Sequence, residues 1–198
     1  MKSFCFLAIL FFLFSCGKNS EYSSLTKEQI NNEFLLKSIN PNDPRIEYWE
    51  INYLNLLTPE IIYFTGNTEL KPSLEDRQLN GFFQGCQPLH CAYNIIYFKN
   101  DNWQSVTSDQ ELKKFIGKVD NEYKAFLSAK IDGFSIDSQN KKGNGFLISD
   151  KEFFLKVMKY ESCPESKESF LLQLSSDGKI MSRKSLGYYY KSTDCIIY

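Results

Sequence analysis

The densest group of reactive side chains is Cys86-Gln87-Pro88-Leu89-His90-Cys91, which contains the only histidine of the 198-residue chain. Two thiolates and an imidazole could supply three zinc ligands, with Cys163 or Cys195 as the fourth. The paired C-x-x-C spacing of zinc fingers is missing, however, and four residues separate the cysteines where a thioredoxin-like redox pair needs two. His90 could activate a cysteine nucleophile, but its neighbour Cys91 is adjacent only in sequence, which does not assure useful geometry. A disulfide closing a Pro88-containing turn is the favoured reading, with no metal and no cofactor.

Other chemistry is thinly represented. The chain has no Gly-x-Ser-x-Gly elbow, no His-Glu-x-x-His, no phosphate-binding glycine loop and no dinucleotide fingerprint. Paired carboxylates could run a glycosidase without histidine, and Glu47, Glu50, Asp132 and Asp137 are available, although acidic residues at loop ends are more often simply solvated. Asp137-Ser138-Gln139-Asn140-Lys141 opens like a calcium loop. Lys141 takes a ligand place, Lys142 stands where the turn glycine belongs and Ile148 replaces the terminal glutamate, so that reading is rejected. Tyr188-Tyr189-Tyr190, in a strand, would set two rings on one face and one on the other. Tyr188 and Tyr190 are thus candidate binding residues for a sugar or a partner protein, against the plainer reading of cross-strand packing.

At the N-terminus, Met1-Lys2 precedes an apolar run from Phe4 to Phe14 that ends at Ser15-Cys16-Gly17, the charged, apolar and small-residue order of a secretory signal. The run is about half the ~20 residues a spanning helix needs. Leu13-Phe14-Ser15-Cys16 resembles the lipobox of bacterial lipoproteins, with Phe14 departing from the modest aliphatic residue usual there. The resemblance implies cleavage before Cys16, fatty acylation (palmitate or similar) of that cysteine, and anchoring in the cell envelope. Gly17, in place of the aspartate that retains lipoproteins in the inner membrane, favours the outer membrane. It carries no biochemical activity.

Loss of residues 1–15 removes Lys2 and takes the formal net charge from −1 to −2. No basic excess exists to neutralise phosphates, so nucleic acid is not an expected partner. A polybasic membrane run is missing too, which leaves the lipid as the attachment. Of six cysteines, Cys5 leaves with the signal and Cys16 takes lipid, so Cys86, Cys91, Cys163 and Cys195 remain. An even number in an oxidising compartment suggests two disulfides. The favoured pairing is Cys86 with Cys91 and Cys163 with Cys195, contributing on the order of 2 and 4 kcal/mol on the chain-entropy model.

Residues 16–25 are polar and aperiodic and read as a flexible tether, leaving 26–198 as a single domain. Thr26 with Gln29 resembles a capping box opening a helix over about 26–39. Asp43-Pro44 opens a second over about 44–57, with Ile46, Trp49, Tyr53, Leu54 and Leu57 on one face. Residues 61–64 fit a strand or a helical turn, and 66–85 read as a long connection. Tyr93 to Phe98 and Trp103 to Val106 form a hairpin. Ser108 with Glu111 caps a helix over Leu112, Phe115 and Ile116, and another spans 121–131, stopped by Gly133. Strands follow at Gly145–Ile148, Glu152–Tyr160, Ser169–Leu174, Lys179–Tyr190 and Cys195–Tyr198, with Ser176-Asp177-Gly178 as a hairpin turn.

The sum is an α+β domain, helices packed on one face of an antiparallel sheet and stapled by disulfides. With catalytic motifs missing, the expected function is that of a non-enzymatic, lipid-anchored module binding another envelope protein; the alternative is a carbohydrate-binding or carbohydrate-active envelope protein. Mass spectrometry of non-reduced protein from its native envelope is expected to find acyl mass on Cys16 and two disulfides among the other four cysteines.

Overall fold

A computed structural model describes residues 21–41, 43–55, 58–73, 80–85 and 91–196. The lipidation position Cys16, the tether up to residue 20, and Cys86 and His90 lie outside the described residues.

Five strands form one antiparallel sheet: β1 (Ile46–Asn55), β2 (Thr58–Gly66), β3 (Phe82–Gly85), β4 (Cys91–Lys99) and β5 (Asn102–Val106). Their order is β2-β1-β4-β3, with β5 pairing the C-terminal half of β4. A second antiparallel sheet is the meander β6 (Gly145–Ser149), β7 (Glu152–Ser162), β8 (Glu165–Leu174) and β9 (Ile180–Lys191). The described residues add three short α-helices: α1 (Asn32–Lys37), α2 (Asp109–Ile116) and α3 (Glu122–Ile131). The described residues are therefore mostly antiparallel sheet with few helices, and they form two sheets where the sequence suggests one.

The helix expected over 44–57 is instead the central strand β1. Its residues are dense in aromatic and β-branched types, which suit a pleated surface. The alternation that would reveal a strand is absent because β1 is buried on both faces. Trp49 and Ile51 face the hydrophobic core, and Tyr48, Glu50, Asn52 and Leu54 are buried on the other side. There Glu50 accepts from the Tyr48 hydroxyl (2.7 Å) and from Asn52 Nδ2 (3.0 Å), which also donates to Asn94 Oδ1 (3.2 Å). A carboxylate at full burial demands such donors.

Local signals elsewhere hold. Ser108 and Glu111 form the reciprocal capping box of α2. Asn100-Asp101, both at positive φ, make the two-residue turn between β4 and β5 that matches strand twist. Gly133 (φ 80°) ends α3, and Gly178 (φ 73°) closes the turn between β8 and β9. The Thr26–Gln29 box also exists, with Thr26 N–H donating to Gln29 Oε1 at 2.8 Å. It closes only a turn, and α1 starts later, after a second cap at Asn31. Residues 61–64 belong to β2, and the connection that follows contains a 3-10 turn, Thr68–Leu70, and β3. No strand forms at Cys195 and Ile196, and residues 197–198 lie outside the description.

The N-terminal segment is docked from Tyr22 onward. Ser23 bridges Phe146 of β6 through two backbone bonds (3.0 and 2.7 Å), and Leu25 exchanges bonds with the Asn144 side chain. At the other end Cys163 is disulfide-bonded to Cys195, 32 residues on. The Ile196 amide donates to Ser162 O (2.9 Å), so the last described residues are clasped to the connection between β7 and β8.

One hydrophobic cluster draws on both sheets and all three helices. α3 is buried on every side from Lys124 to Ala129, the situation of a helix inside a core rather than upon one. The fully buried Lys124 ammonium donates to Asn40 O, Lys118 O and Asp120 Oδ2, each at 3.3 Å. No helix among the described residues is long and apolar enough to cross a membrane.

By equilibrium denaturation, Lys124→Met should cost about 2 kcal/mol by stranding buried acceptors. Phe126→Ala should cost about 3–5 kcal/mol, and Lys151→Met on the exposed turn before β7 should stay within about 0.5 kcal/mol.

Candidate functional site

Among the described residues β9 is the edge of its sheet, and its outer side has no partner strand. Its pairing with β8 is interrupted by register shifts between Lys167/Glu168, Ser169/Phe170 and Gln173/Leu174. The first decides where the tyrosines point. Tyr188 pairs with Glu168 and Tyr190 with Lys167, leaving Tyr189 as an extra residue. Because Lys167 and Glu168 face opposite ways along β8, the Tyr188 and Tyr190 rings lie on opposite faces, not on one face as simple alternation predicts. The candidate pair therefore does not form a single platform.

Each ring has its own surroundings. Tyr188 is 54% exposed with Lys191 Nζ 3.8 Å from its centroid. Tyr190 is 42% exposed; its hydroxyl donates to Glu165 Oε2 at 2.9 Å, and this bond together with the Glu165 charge raises its pKa. Tyr189 turns inward, and its hydroxyl donates to Asp137 Oδ2 at 2.8 Å. Burial, then the bond and charge of Asp137, push the Tyr189 phenol far above its ordinary range.

Asp137 is nearly inaccessible. Burial alone would raise its pKa, but the Gln139 amide (2.8 Å), the Tyr189 hydroxyl and Lys167 Nζ (3.3 Å) together hold it below the ordinary value. The carboxyl thus stays ionised and the phenol protonated, whereas general acid–base catalysis needs pKa values drawn toward neutrality. This cluster fastens β9 to the segment before β6.

The other candidate carboxylates are dispersed. Glu50 is inside the first sheet's polar network, Asp132 is paired with Lys113 at 3.0 Å, and Glu47 is exposed on β1. A cavity of about 370 Å³ does bring Asp43 and Glu111 near Tyr97 and Phe115. Asp43 is held down by Arg45 and Lys99, and Glu111 by the Thr107 amide, so neither carboxyl is raised to serve as an acid at neutral pH.

Cys91, Cys163 and Cys195 are all disulfide-bonded, so none offers a thiolate to a metal or a substrate. Cys86, the expected partner of Cys91, lies outside the described residues. Among the described residues no group of three or more His, Cys, Asp or Glu side chains gathers in a way that could hold a metal.

Sequence reasoning picked out the tyrosines but missed the rest of the strand. Met181 and Leu186 are 59% and 48% exposed, and Arg183, Lys184 and Lys191 share the strand with no carboxylate between Ile180 and Lys191. Their signal was present as an apolar–basic mixture without acidic residues. Compared with known proteins, the chain matches no family model, no curated protein and no solved structure.

The sign of the Asp137 shift sets a pH test. A lowered folded pKa adds stability above the ordinary aspartate value of 3.8, and that gain is lost as pH falls through the folded value. Asp137→Asn is expected to be less stable than the parent by about 2 kcal/mol at neutral pH. The gap should close in thermal melts taken progressively below pH 3.8.

Proposed function

We propose that this chain is a lipid-anchored cell-envelope protein whose folded body binds another protein without catalysis, and that β9 is the surface it presents. One observation carries the reading. Of the eight large apolar side chains that stand exposed among the described residues, Met181, Leu186, Tyr188 and Tyr190 are on this one strand. Concentrated apolar exposure on an otherwise polar surface marks an interaction site, and tyrosine beside arginine is the composition of interface anchors.

The strand's cations select the partner. With Arg183 and Lys191 and no carboxylate in the strand, β9 is complementary to an acidic surface that carries apolar side chains of its own. The three register shifts in β9 discourage indiscriminate strand addition at this edge, so recognition is assigned to side chains rather than to a continued sheet. In this reading the helices cover the inner face of the sheet, as the sequence suggests, and the edge at β9 is left for the partner. Anchoring through Cys16 keeps the body at the envelope, where a single acyl chain would not suffice but several would. Carbohydrate chemistry is the weaker reading, since both carboxyls of the aromatic-lined cavity are held ionised.

A photo-reactive residue at position 186 is expected to crosslink one envelope protein in living cells, and one at position 148, exposed on the opposite edge of the same sheet, is not. Arg183→Glu with Lys191→Glu should lower that crosslink by about tenfold or more with the melting profile unchanged. The same products from both positions, or an unaffected double variant, would remove β9 from the interface.

A further inference from the structure

Although the sequence contains no polybasic run, the fold assembles a basic face. The register of the second sheet aligns Gly145, Lys156, Leu171 and Lys184 in one row across β6, β7, β8 and β9. Side chains paired in this way share a face, and Phe146, Leu155 and Leu172, in the neighbouring row, point to the core. Lys156 and Lys184 are therefore on the outer face. The 3-10 turn Lys141–Gly143 adds Lys141 and Lys142 beside a groove of about 310 Å³ that Lys156 also lines. Among the described residues none of these four lysines has a salt-bridge partner, whereas Lys167, on the same face, is matched by Asp137.

The second observation is where the N-terminus leaves this face. Tyr22 packs on Lys156, whose Nζ lies 4.1 Å from the ring centroid, and Ser23 is fixed to β6. Five residues lie between Cys16 and Tyr22, so six steps of the chain join them, and a chain spans at most about 3.5 Å per step. An acylated Cys16 therefore holds this face within about 20 Å of the lipid surface.

We propose that the outer face of the second sheet, through Lys141, Lys142, Lys156 and Lys184, docks on the anionic phosphate headgroups of the membrane in which Cys16 is anchored, and so sets the orientation of the body. The proposal rests on the lipid-anchor reading. It deepens that reading by naming the second signal, since a basic patch adds to acyl anchoring and each lysine near an anionic surface is worth about a fivefold gain in partitioning. Arg183, whose β8 partner Leu172 points to the core, is on the opposite face of the sheet, whereas Leu186 and Tyr188 also border the groove beside Lys141, Lys142 and Lys156.

The test is lysine footprinting of the acylated protein, reconstituted either in phosphatidylcholine vesicles or in vesicles with about 30% phosphatidylglycerol, labelled with an amine-reactive acetyl ester and read by peptide mass spectrometry. On the anionic vesicles Lys141, Lys142, Lys156 and Lys184 are expected to react about fivefold more slowly than on neutral ones, with Lys71 and Lys114 unchanged. Protection should vanish at about 0.5 M salt, where the screening length falls to a few ångströms. In the Lys141→Glu, Lys142→Glu variant, Lys156 and Lys184 should label alike on both vesicles. Equal labelling of the parent on both vesicles, or protection that includes Lys71 and Lys114, overturns the docking face. A protein that carries no acyl group and stays with neither vesicle overturns the anchor reading instead.

Discussion

The rest of the structure depends on the burial of α3 and on what that burial demands of one lysine. A helix enclosed from Lys124 to Ala129 needs apolar surface on every side, and two sheets and two further helices provide it. Lys124 would make this impossible if its charge went unmet, because an unpaired buried ammonium costs several kcal/mol. Its three oxygens come from the connection after α1 and from the segment joining α2 to α3. The requirement of one cation thereby fixes how both connections run, and with them how α1 and α2 sit against α3.

The first sheet meets a similar demand differently. Its strand β1 has a core face and a second buried face on which Glu50, Asn52 and Asn94 satisfy one another, leaving Asn52 Oδ1 as the unpartnered buried side-chain oxygen among the described residues. Polar networks of this kind specify register more than they add stability, since a one-residue slip would expose Trp49's face and break every bond at once. The second sheet is less enclosed. Its meander is closed at one end by the Cys163–Cys195 bridge and at one edge by Ser23 on β6, and it ends in a β9 held by the Tyr189 hydroxyl on Asp137. The strand is thus anchored from within while its outer side chains stay available.

What was legible in the chain alone were the features made by residues a few positions apart. The Ser108–Glu111 cap, the Asn100-Asp101 and Ser176-Asp177-Gly178 turns, the Gly133 stop and the four strands between residues 145 and 191 follow from backbone preferences and short-range hydrogen bonds that act wherever the segment sits. The pairing of Cys163 with Cys195 is the favoured one among the three connectivities that four cysteines allow, and it forms. Tertiary structure alone decided that Ile46–Asn55 is a strand, because burial on both faces erased its alternation and left a spacing that also fits a helix. It decided that Tyr188 and Tyr190 part company, since a bulge depends on the neighbouring strand's register and has no signature in Tyr188-Tyr189-Tyr190. It also brought Lys142, Lys156 and Lys184 to one face from three separate segments, a charge pattern that becomes visible only when cross-strand pairing sets residues distant in sequence side by side.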